Sequence, residues 1–333
     1  MSAMQTASET ADRPSWRLTL ALAALTAVAP MATDIYLPGM PALAADLGVP
    51  AAGAQLTLSA FFFGFGFGQL LYGPLADRFG RRPLLLAGLT LFTAASLGCA
   101  LAQNLGVLIA LRFLEAIGGC AGPVLARAAV RDLYGGDRAA RVLSTMVLVM
   151  GAAPLFAPLL GGQLLLLGGW RANFWVLTGF GALCLAAVVL VLGETLPIER
   201  RLRASAAGMI RSYGLLLGDR RYLGFALSSG TVYGGLFAYL TGSPFVFIAL
   251  YGVPAQQFGL LFGINVAGLM LAASINRRIV MRFGAHRLLA WARLLRCEQR
   301  LQPGRGLLQL LIQRARLAAL AAHQGELLGH DRS

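Results

Sequence analysis

Long runs of apolar residues, separated by short polar segments, dominate the pattern along this chain of 333 residues. A helix needs roughly 20 apolar residues to cross about 30 Å of hydrocarbon. Eight segments reach that length, at about residues 18–37, 54–72, 83–102, 106–125, 142–167, 172–192, 222–248 and 258–275. The pattern therefore predicts an all-α polytopic membrane protein with eight spans, numbered one to eight in chain order.

The composition agrees with this prediction. Hydrophobic residues make up 57% of the chain and charged residues 13%, whereas soluble proteins carry roughly 25% charged residues because their surface must face water. The chain therefore cannot cover a water-facing surface, which excludes soluble enzymes and disordered proteins. The four cysteines and three histidines show no spacing typical of a disulfide framework or a metal site, so no metal or cofactor is predicted.

The net charge of +14 could indicate a nucleic-acid partner, but the positions of the charges indicate a membrane. All 28 basic residues are arginines, and they cluster before span one and after spans two, four, six and eight. The opposite side of the membrane receives Arg171, and Arg112 lies within span four. Cytoplasmic loops carry such an excess of basic residues. Both termini are therefore predicted to be cytoplasmic, with the lipid bilayer and no nucleic acid as partner.

The longest and most charged connection, residues 193–221, divides the chain into two parts. We interpret it as a basic cytoplasmic linker between six spans in residues 1–192 and two spans in residues 222–288. In the basic tail, residues 289–333, charges interrupt every apolar run before it reaches the length of a span. The tail is interpreted as a frameshifted or truncated end, which would leave the second part with two helices.

Two short matches suggest that the two parts are repeats of one unit. YLPGMP at 36–41 recurs as YLTGSP at 239–244, and RFG at 78–80 recurs at 282–284. The offsets are 203 and 204 residues, and the matches fall at equivalent helix positions. Parallel repeats of this kind are one building plan of membrane transporters.

Three charged residues lie inside predicted spans, where each charge costs about 3 kcal/mol on insertion scales. Arg112 and Glu115 are three residues apart in span four, so they share a helix face and can pair with each other. Asp34 in span one lies at nearly the same depth as Arg112. We expect Asp34, Arg112 and Glu115 to serve proton coupling and to line the substrate cavity, with pairing between Asp34 and Arg112 coupling protonation to substrate binding. The alternatives are a purely internal Arg112–Glu115 ion pair and an Asp34 that merely reaches water.

Glycines and prolines concentrate in spans two and five. Span five contains GAAPLFAPLLGG, whose small and kinking residues favour a bend and close helix contact; they are Gly151, Pro154, Pro158, Gly161 and Gly162. In span two, Gly64 and Gly68 are spaced as a small-residue packing face. No strand precedes them, so a nucleotide-binding loop is not indicated.

After span two, the segment GPLADRFGRRP combines glycines for a tight turn with an acid and three arginines. It resembles the signature loop between helices two and three of the major facilitator superfamily, through Gly73, Asp77, Arg78, Gly80, Arg81 and Arg82. A generic basic loop would explain the arginines but not the spacing of Gly, Asp and Gly. RFLEAIGG in span four is similar to the family's fourth-helix motif, although Glu115 stands where the family has Gln.

The glycine–proline segment of span five resembles the fifth-helix motif of the antiporter branch of this superfamily, although a plain packing kink would use the same residues. Together with TDIYLP in span one, these motifs resemble the Bcr/CflA branch of drug–proton antiporters. The resemblance implies a six-helix N-terminal bundle, followed here by the first two helices of a second bundle. It also implies efflux of hydrophobic drugs across the inner membrane by alternating access, driven by protons. The alternatives are a non-transporting remnant, or a partner of an intact transporter, and a membrane-embedded enzyme, which no nucleophile–base pair supports.

Overall fold

Long apolar helices build the computed structural model, which describes residues 15–201 and 206–284. The α-helices are α1 (Trp16–Asp34), α2 (Met40–Asp46), α3 (Ala51–Phe79), α4 (Arg81–Leu101), α5 (Leu105–Leu133), α6 (Gly136–Val191), α7 (Ala206–Gly218), α8 (Arg220–Pro244) and α9 (Ala255–Phe283). Short 3-10 turns lie at Leu37–Gly39 and Ile198–Arg200, and a π-helical segment, Phe245–Leu250, follows α8. The described residues contain no strand, which confirms the predicted fold class. The predicted tail, residues 289–333, lies outside the described residues.

Seven helical stretches of the described chain are long and apolar enough to cross a membrane, and the longest of them consists of two helices joined at a kink. The 56 residues of α6 would extend about 84 Å if straight, nearly three times the thickness of the hydrocarbon core. Gly168 and Gly169 interrupt it with non-helical backbone angles. Gly169 has φ 63°, a left-handed value that glycine adopts without steric cost. The two arms, residues 136–167 and 170–191, correspond to predicted spans five and six, so eight spans are confirmed.

The glycines of α3 bring its backbone against α5, as their spacing predicts. A Cβ added at Gly64 would collide with the carbonyl oxygen of Phe113, and one at Gly68 would lie 3.0 Å from the Cβ of Cys120. Lipid tails are as apolar as the side chains, so helices in a membrane associate through close packing. The absence of side chains at these two positions therefore sets the distance between α3 and α5.

The second copy of the RFG match has the same local geometry as the first. Gly80 ends α3 with φ 98°, and Gly284 follows α9 with φ 79°. The guanidinium carbon of Arg78 lies 5.2 Å from the ring centre of Phe79, and that of Arg282 lies 5.4 Å from the ring centre of Phe283. The two matching RFG segments therefore occupy helix ends of the same geometry, which supports the predicted repeat.

Beyond span six, few side chains of the described chain are buried. Residues 193–197 are irregular, and α7 occupies part of the predicted linker. One compact unit of the chain extends to Val266. A second unit begins at Ala267, and its described part is the helical continuation of α9 to Phe283. The proposed division at residues 193–221 stays a prediction.

We predict that Gly64→Ala destabilises the protein whereas Gly66→Ala does not. The first adds a methyl group against the backbone of α5, and the second adds it where no atom lies within 4 Å. Overpacking of this kind costs about 1–3 kcal/mol. Thermal unfolding of the purified variants in one detergent measures the difference. Equal unfolding midpoints for the two variants would contradict the assigned packing of α3 on α5.

Candidate functional site

The three predicted intramembrane charges are all buried, but they do not form one group. Arg112 and Glu115 lie in the first half of α5 and are fully inaccessible, and Asp34 at the end of α1 is 4% exposed. Ionised groups in a membrane interior persist when they pair with each other or with backbone carbonyls. The contacts of each side chain therefore decide what the site can do.

Glu115 is the ion-pair partner of Arg112. Arg112 Nη1 donates to Glu115 Oε2 at 2.7 Å, which confirms the pairing within span four that their spacing made available. Ser96 on α4 donates its hydroxyl proton to Glu115 Oε1 at 2.8 Å. The thiol of Cys99 lies 3.9 Å from Glu115 Oε2. The carboxylate thus joins α5 to α4, and both of its oxygens have partners.

An aromatic cage surrounds the other side of the guanidinium. Its carbon lies 4.4 Å from the ring centre of Phe61, 4.9 Å from that of Tyr36 and 5.5 Å from that of Phe174. Cation–π attraction of this kind reaches about 2 kcal/mol when the groups are desolvated. Both Nη atoms also donate to the carbonyl oxygen of Ala32 at 3.2 Å. Arg112 is therefore held by side chains and backbone from α1 and the turn after it, α3, α5 and α6.

Asp34 does not pair with Arg112, contrary to the expectation based on depth. Among the described residues no ion pair joins them, and the carboxylate of Asp34 accepts a hydrogen bond from Thr33 Oγ1 at 3.0 Å. Successive residues of a helix are about 100° apart. Ala32 and Tyr36 both face Arg112, so Asp34, midway between them, points to the opposite side of the helix. Equal depth in the membrane does not by itself bring the two side chains together, because the rotation of α1 directs Asp34 away from Arg112.

The predicted signature loop forms a polar network at the arginine-rich end of the helices. Arg81 pairs with Asp77 at 2.7 Å and with Asp132 at 3.1 Å, which connects α3, α4 and α5. The backbone nitrogen of Arg81 donates to Glu194 Oε1 at 2.9 Å, so Glu194 caps the first turn of α4. A Cβ at Gly80 would collide with the same carboxylate. The turn at Gly80 and the pairing of Asp77 with an arginine agree with the composition of the loop, whereas the partners Asp132 and Glu194 lie outside it.

The other loop residues have weaker roles. Arg82 donates to the carbonyl oxygen of Val189 at 3.0 Å, which attaches the loop to the end of α6. The side chain of Arg78 is exposed and lies beside Phe79. No atom lies within 4 Å of a Cβ built at Gly73, so packing gives no reason for glycine there.

Two acids of this network were missed in the sequence. Asp132 accepts from Arg81 and, at 3.3 Å, from the hydroxyl of Thr195. Glu194 accepts from the backbone nitrogens of Thr195 and Leu196 at 3.0 Å and pairs with Arg201 at 3.5 Å. Eleven of the 14 acids in the sequence lie in the arginine-rich segments, so nothing singled these two out. Both lie far from the loop in sequence, so the contact itself was not predictable.

The fifth-helix motif brings α6 into contact with α1 on one side and with α9 on the other. A Cβ at Gly161 would collide with the carbonyl oxygen of Ile35, and one at Gly162 would lie 2.8 Å from that of Ala255. Pro158, three residues before Gly161, is buried, whereas Gly151 and Pro154, further from this contact, are half-buried. The motif therefore packs the first six-span part against the beginning of span eight.

A smaller set of polar contacts joins the helices at their opposite end. Arg171 pairs with Asp46 at 2.6 Å and donates to the carbonyl oxygen of Ala102 at 3.1 Å. Trp170 donates its indole proton to the same Asp46 oxygen at 3.0 Å. The single arginine predicted for this side thus ties the kink of α6 to α2 and to the end of α4. In the part of the chain that the structure describes, no three Cys, His, Asp or Glu side chains meet to bind a metal.

Comparison with known proteins places these motifs in one family. The Major Facilitator Superfamily model matches residues 22–296. The chain is 42% identical over 272 residues to the uncharacterized MFS-type transporter YdgK of Bacillus subtilis, covering 80% of this chain and 67% of that protein. It is 36% identical over 270 residues to the bicyclomycin resistance protein homolog of Haemophilus influenzae (81% and 68% covered). It is 31% identical over 280 residues to multidrug resistance protein D of Escherichia coli (84% and 69% covered).

Solved structures with little sequence identity share the fold. A bacterial homolog of the human lysosomal transporter Spinster superposes with a TM-score of 0.63 at 16% identity, covering 85% of this chain and 69% of the other. A mutant of the nucleoside transporter NupG gives a TM-score of 0.66 at 12% identity, covering 84% and 72%. The chain thus spans about two thirds of the length of these relatives, and the resemblance based on the motifs is confirmed.

We predict that Glu115→Ala unfolds at a clearly lower temperature than Glu115→Gln. Both variants leave the buried guanidinium without a carboxylate, which costs about 3–5 kcal/mol, but alanine also removes the acceptor oxygens and leaves a cavity. Glutamine keeps an oxygen that can accept from Arg112 or Ser96. Thermal unfolding in detergent, with membrane abundance measured in parallel, tests the difference. An equal fall in the unfolding midpoint of both variants would mean that the hydrogen bonds of Glu115 contribute little to stability compared with its charge.

We also predict that Arg81→Gln loosens the connection after α6, whereas Arg78→Gln does not. Arg81 contacts two carboxylates, while Arg78 in the same loop is exposed. Loss of Arg81 frees Asp132, the partner of Thr195, and weakens the turn around Glu194. Hydrogen exchange at the amides of Thr195 and Leu196 should accelerate in the Arg81 variant alone. Unchanged exchange there would remove Arg81 from this network.

Proposed function

This chain belongs to the Major Facilitator Superfamily of membrane transporters, and on that premise we propose that it exports hydrophobic drugs in exchange for protons. As a transporter it is not an enzyme. The relatives named for resistance to bicyclomycin and to multiple drugs support drug-like substrates. Export would cross the inner membrane by alternating access, with both termini in the cytoplasm as the arginine distribution indicates. The proton gradient would supply the energy without a cofactor.

The buried carboxyl group of Asp34 carries the proposal. Its one hydrogen-bond partner among the described side chains is the neutral hydroxyl of Thr33. Asp34 can therefore bind or release a proton without breaking an ion pair. Glu115 differs, because its protonation would leave Arg112 as an uncompensated charge in the membrane. We assign the exchanged proton to Asp34, and to the Arg112–Glu115 pair the role of a fixed neutral support.

Residues next to Asp34 contact neighbouring helices, so a change in the charge of Asp34 could affect those contacts. Ala32 and Tyr36, on the other face of the same segment, contact Arg112. Ile35 touches α6 at Gly161, and the adjacent Gly162 touches α9 at Ala255. A small rotation of this segment on proton binding would therefore reach both the aromatic cage and the contact with span eight. Parallel-repeat transporters move one half against the other around such a contact.

We predict that Asp34→Asn abolishes drug transport driven by a pH gradient, while the protein still inserts into membranes. Asparagine has the shape of aspartate but cannot exchange a proton. Uptake of a fluorescent hydrophobic dye into inverted vesicles with an imposed pH gradient measures the activity. Asp137→Asn is the matched control, because Asp137 is an exposed carboxyl group at the start of α6 and its loss should leave uptake unchanged.

The same proteins should be expressed in a drug-sensitive strain lacking its own exporters. Growth above the empty-vector level with the unaltered chain, lost in Asp34→Asn and kept in Asp137→Asn, is the expected result. Wild-type uptake by Asp34→Asn vesicles would remove this residue from proton exchange. A membrane-inserted wild-type chain with neither uptake nor resistance would contradict transport by this chain alone.

A further inference from the structure

A groove between α1 and the first arm of α6 has no role in the proposed transport cycle. Its volume is about 560 Å³, within the range of small-molecule sites. The walls are mainly apolar, with Leu20 and Ala23 on α1 and Val142 and Val149 on α6. The lining on α6 extends from Arg141 to Val149, or about 12 Å along the helix. The feature is therefore an open, elongated and mainly apolar groove between two spans.

Positive charge lies at the arginine-rich end of this groove. Arg141 lines the groove and its side chain is exposed. Its guanidinium forms no ion pair with any residue that the structure describes. Trp16 lines the same end and is 70% exposed, with the guanidinium of Arg17 5.6 Å from its ring. Because exposed Trp side chains favour the membrane–water interface, this end lies at the level of lipid headgroups.

We propose that the groove binds an anionic phospholipid of the cytoplasmic leaflet. One acyl chain would lie between α1 and α6, and the phosphate would accept hydrogen bonds from Arg141. The guanidinium matches phosphate oxygens in a bidentate geometry, and the cytoplasmic leaflet supplies anionic lipid beside basic residues. The apolar walls match an acyl chain, and the basic end matches its headgroup.

Two other occupants fit the groove less well. A cationic drug would meet like charge at Arg141 and Arg17. The segment that precedes Trp16, MSAMQTASETADRPS, has no apolar run long enough to fill the 12 Å groove. An anionic lipid satisfies both the charge and the apolar walls.

The experiment is native mass spectrometry of the full chain, purified in a mild detergent and mixed with phosphatidylglycerol or with phosphatidylcholine of the same acyl chains. The wild type should retain phosphatidylglycerol in preference to phosphatidylcholine. Arg141→Gln should lower phosphatidylglycerol binding by about fivefold, the factor expected for one arginine near anionic lipid. Arg131→Gln, which alters an exposed arginine of α5 on the same side and outside the groove, should leave binding unchanged.

A second variant tests the acyl-chain part of the site. Thr19 lines the groove, and Thr19→Phe would fill it without changing the charge, so both lipids should bind less. Equal retention of the two lipids by the wild type, or equal binding by Arg141→Gln and Arg131→Gln, would overturn the proposal. Undiminished phosphatidylglycerol binding by Thr19→Phe would also overturn it, because the lipid would then lie elsewhere.

Discussion

The cost of holding a charge in hydrocarbon governs the centre of this protein. Arg112 is wholly inaccessible, so every favourable contact that its guanidinium would make with water must come from the protein. Glu115 neutralises it, Ala32 accepts from it, and aromatic rings cover its face. These groups come from four parts of the chain, and the positions of their helices are therefore fixed relative to one another. A transporter needs such a rigid core if its halves are to move as bodies.

Glycine makes this arrangement possible, because helices in lipid associate through close packing rather than through exclusion of water. Gly64 and Gly68 bring α3 to α5, which places Phe61 over the guanidinium. Gly161 brings α6 to the segment that carries Asp34. The glycine–proline motif of α6 thus has a structural role in this chain, because it joins the segment that carries Asp34 to α9.

Charge at the two ends of the helices serves a different purpose. Arg81 joins three helices through Asp77 and Asp132, and Asp46 joins Trp170 and Arg171 at the other end. These pairs are partly exposed, so water screens them and breaking one costs less than breaking the buried pair. They determine which helix ends lie together. A network of several weak contacts can be broken and remade during transport at modest cost.

The sequence by itself determined what depends on neighbours along one helix. The eight spans, the arginine-rich side, the family motifs and the Arg112–Glu115 pair follow from apolar length, charge position and a spacing of three residues. Tertiary structure decided which residues meet between helices, including Ser96 and Glu115, Arg81 and Asp132, and the rings around Arg112. It also turned Asp34 away from Arg112 although their depths agree. Depth follows from counting residues, whereas the rotation and approach of each helix follow from how its small and large side chains pack against the others.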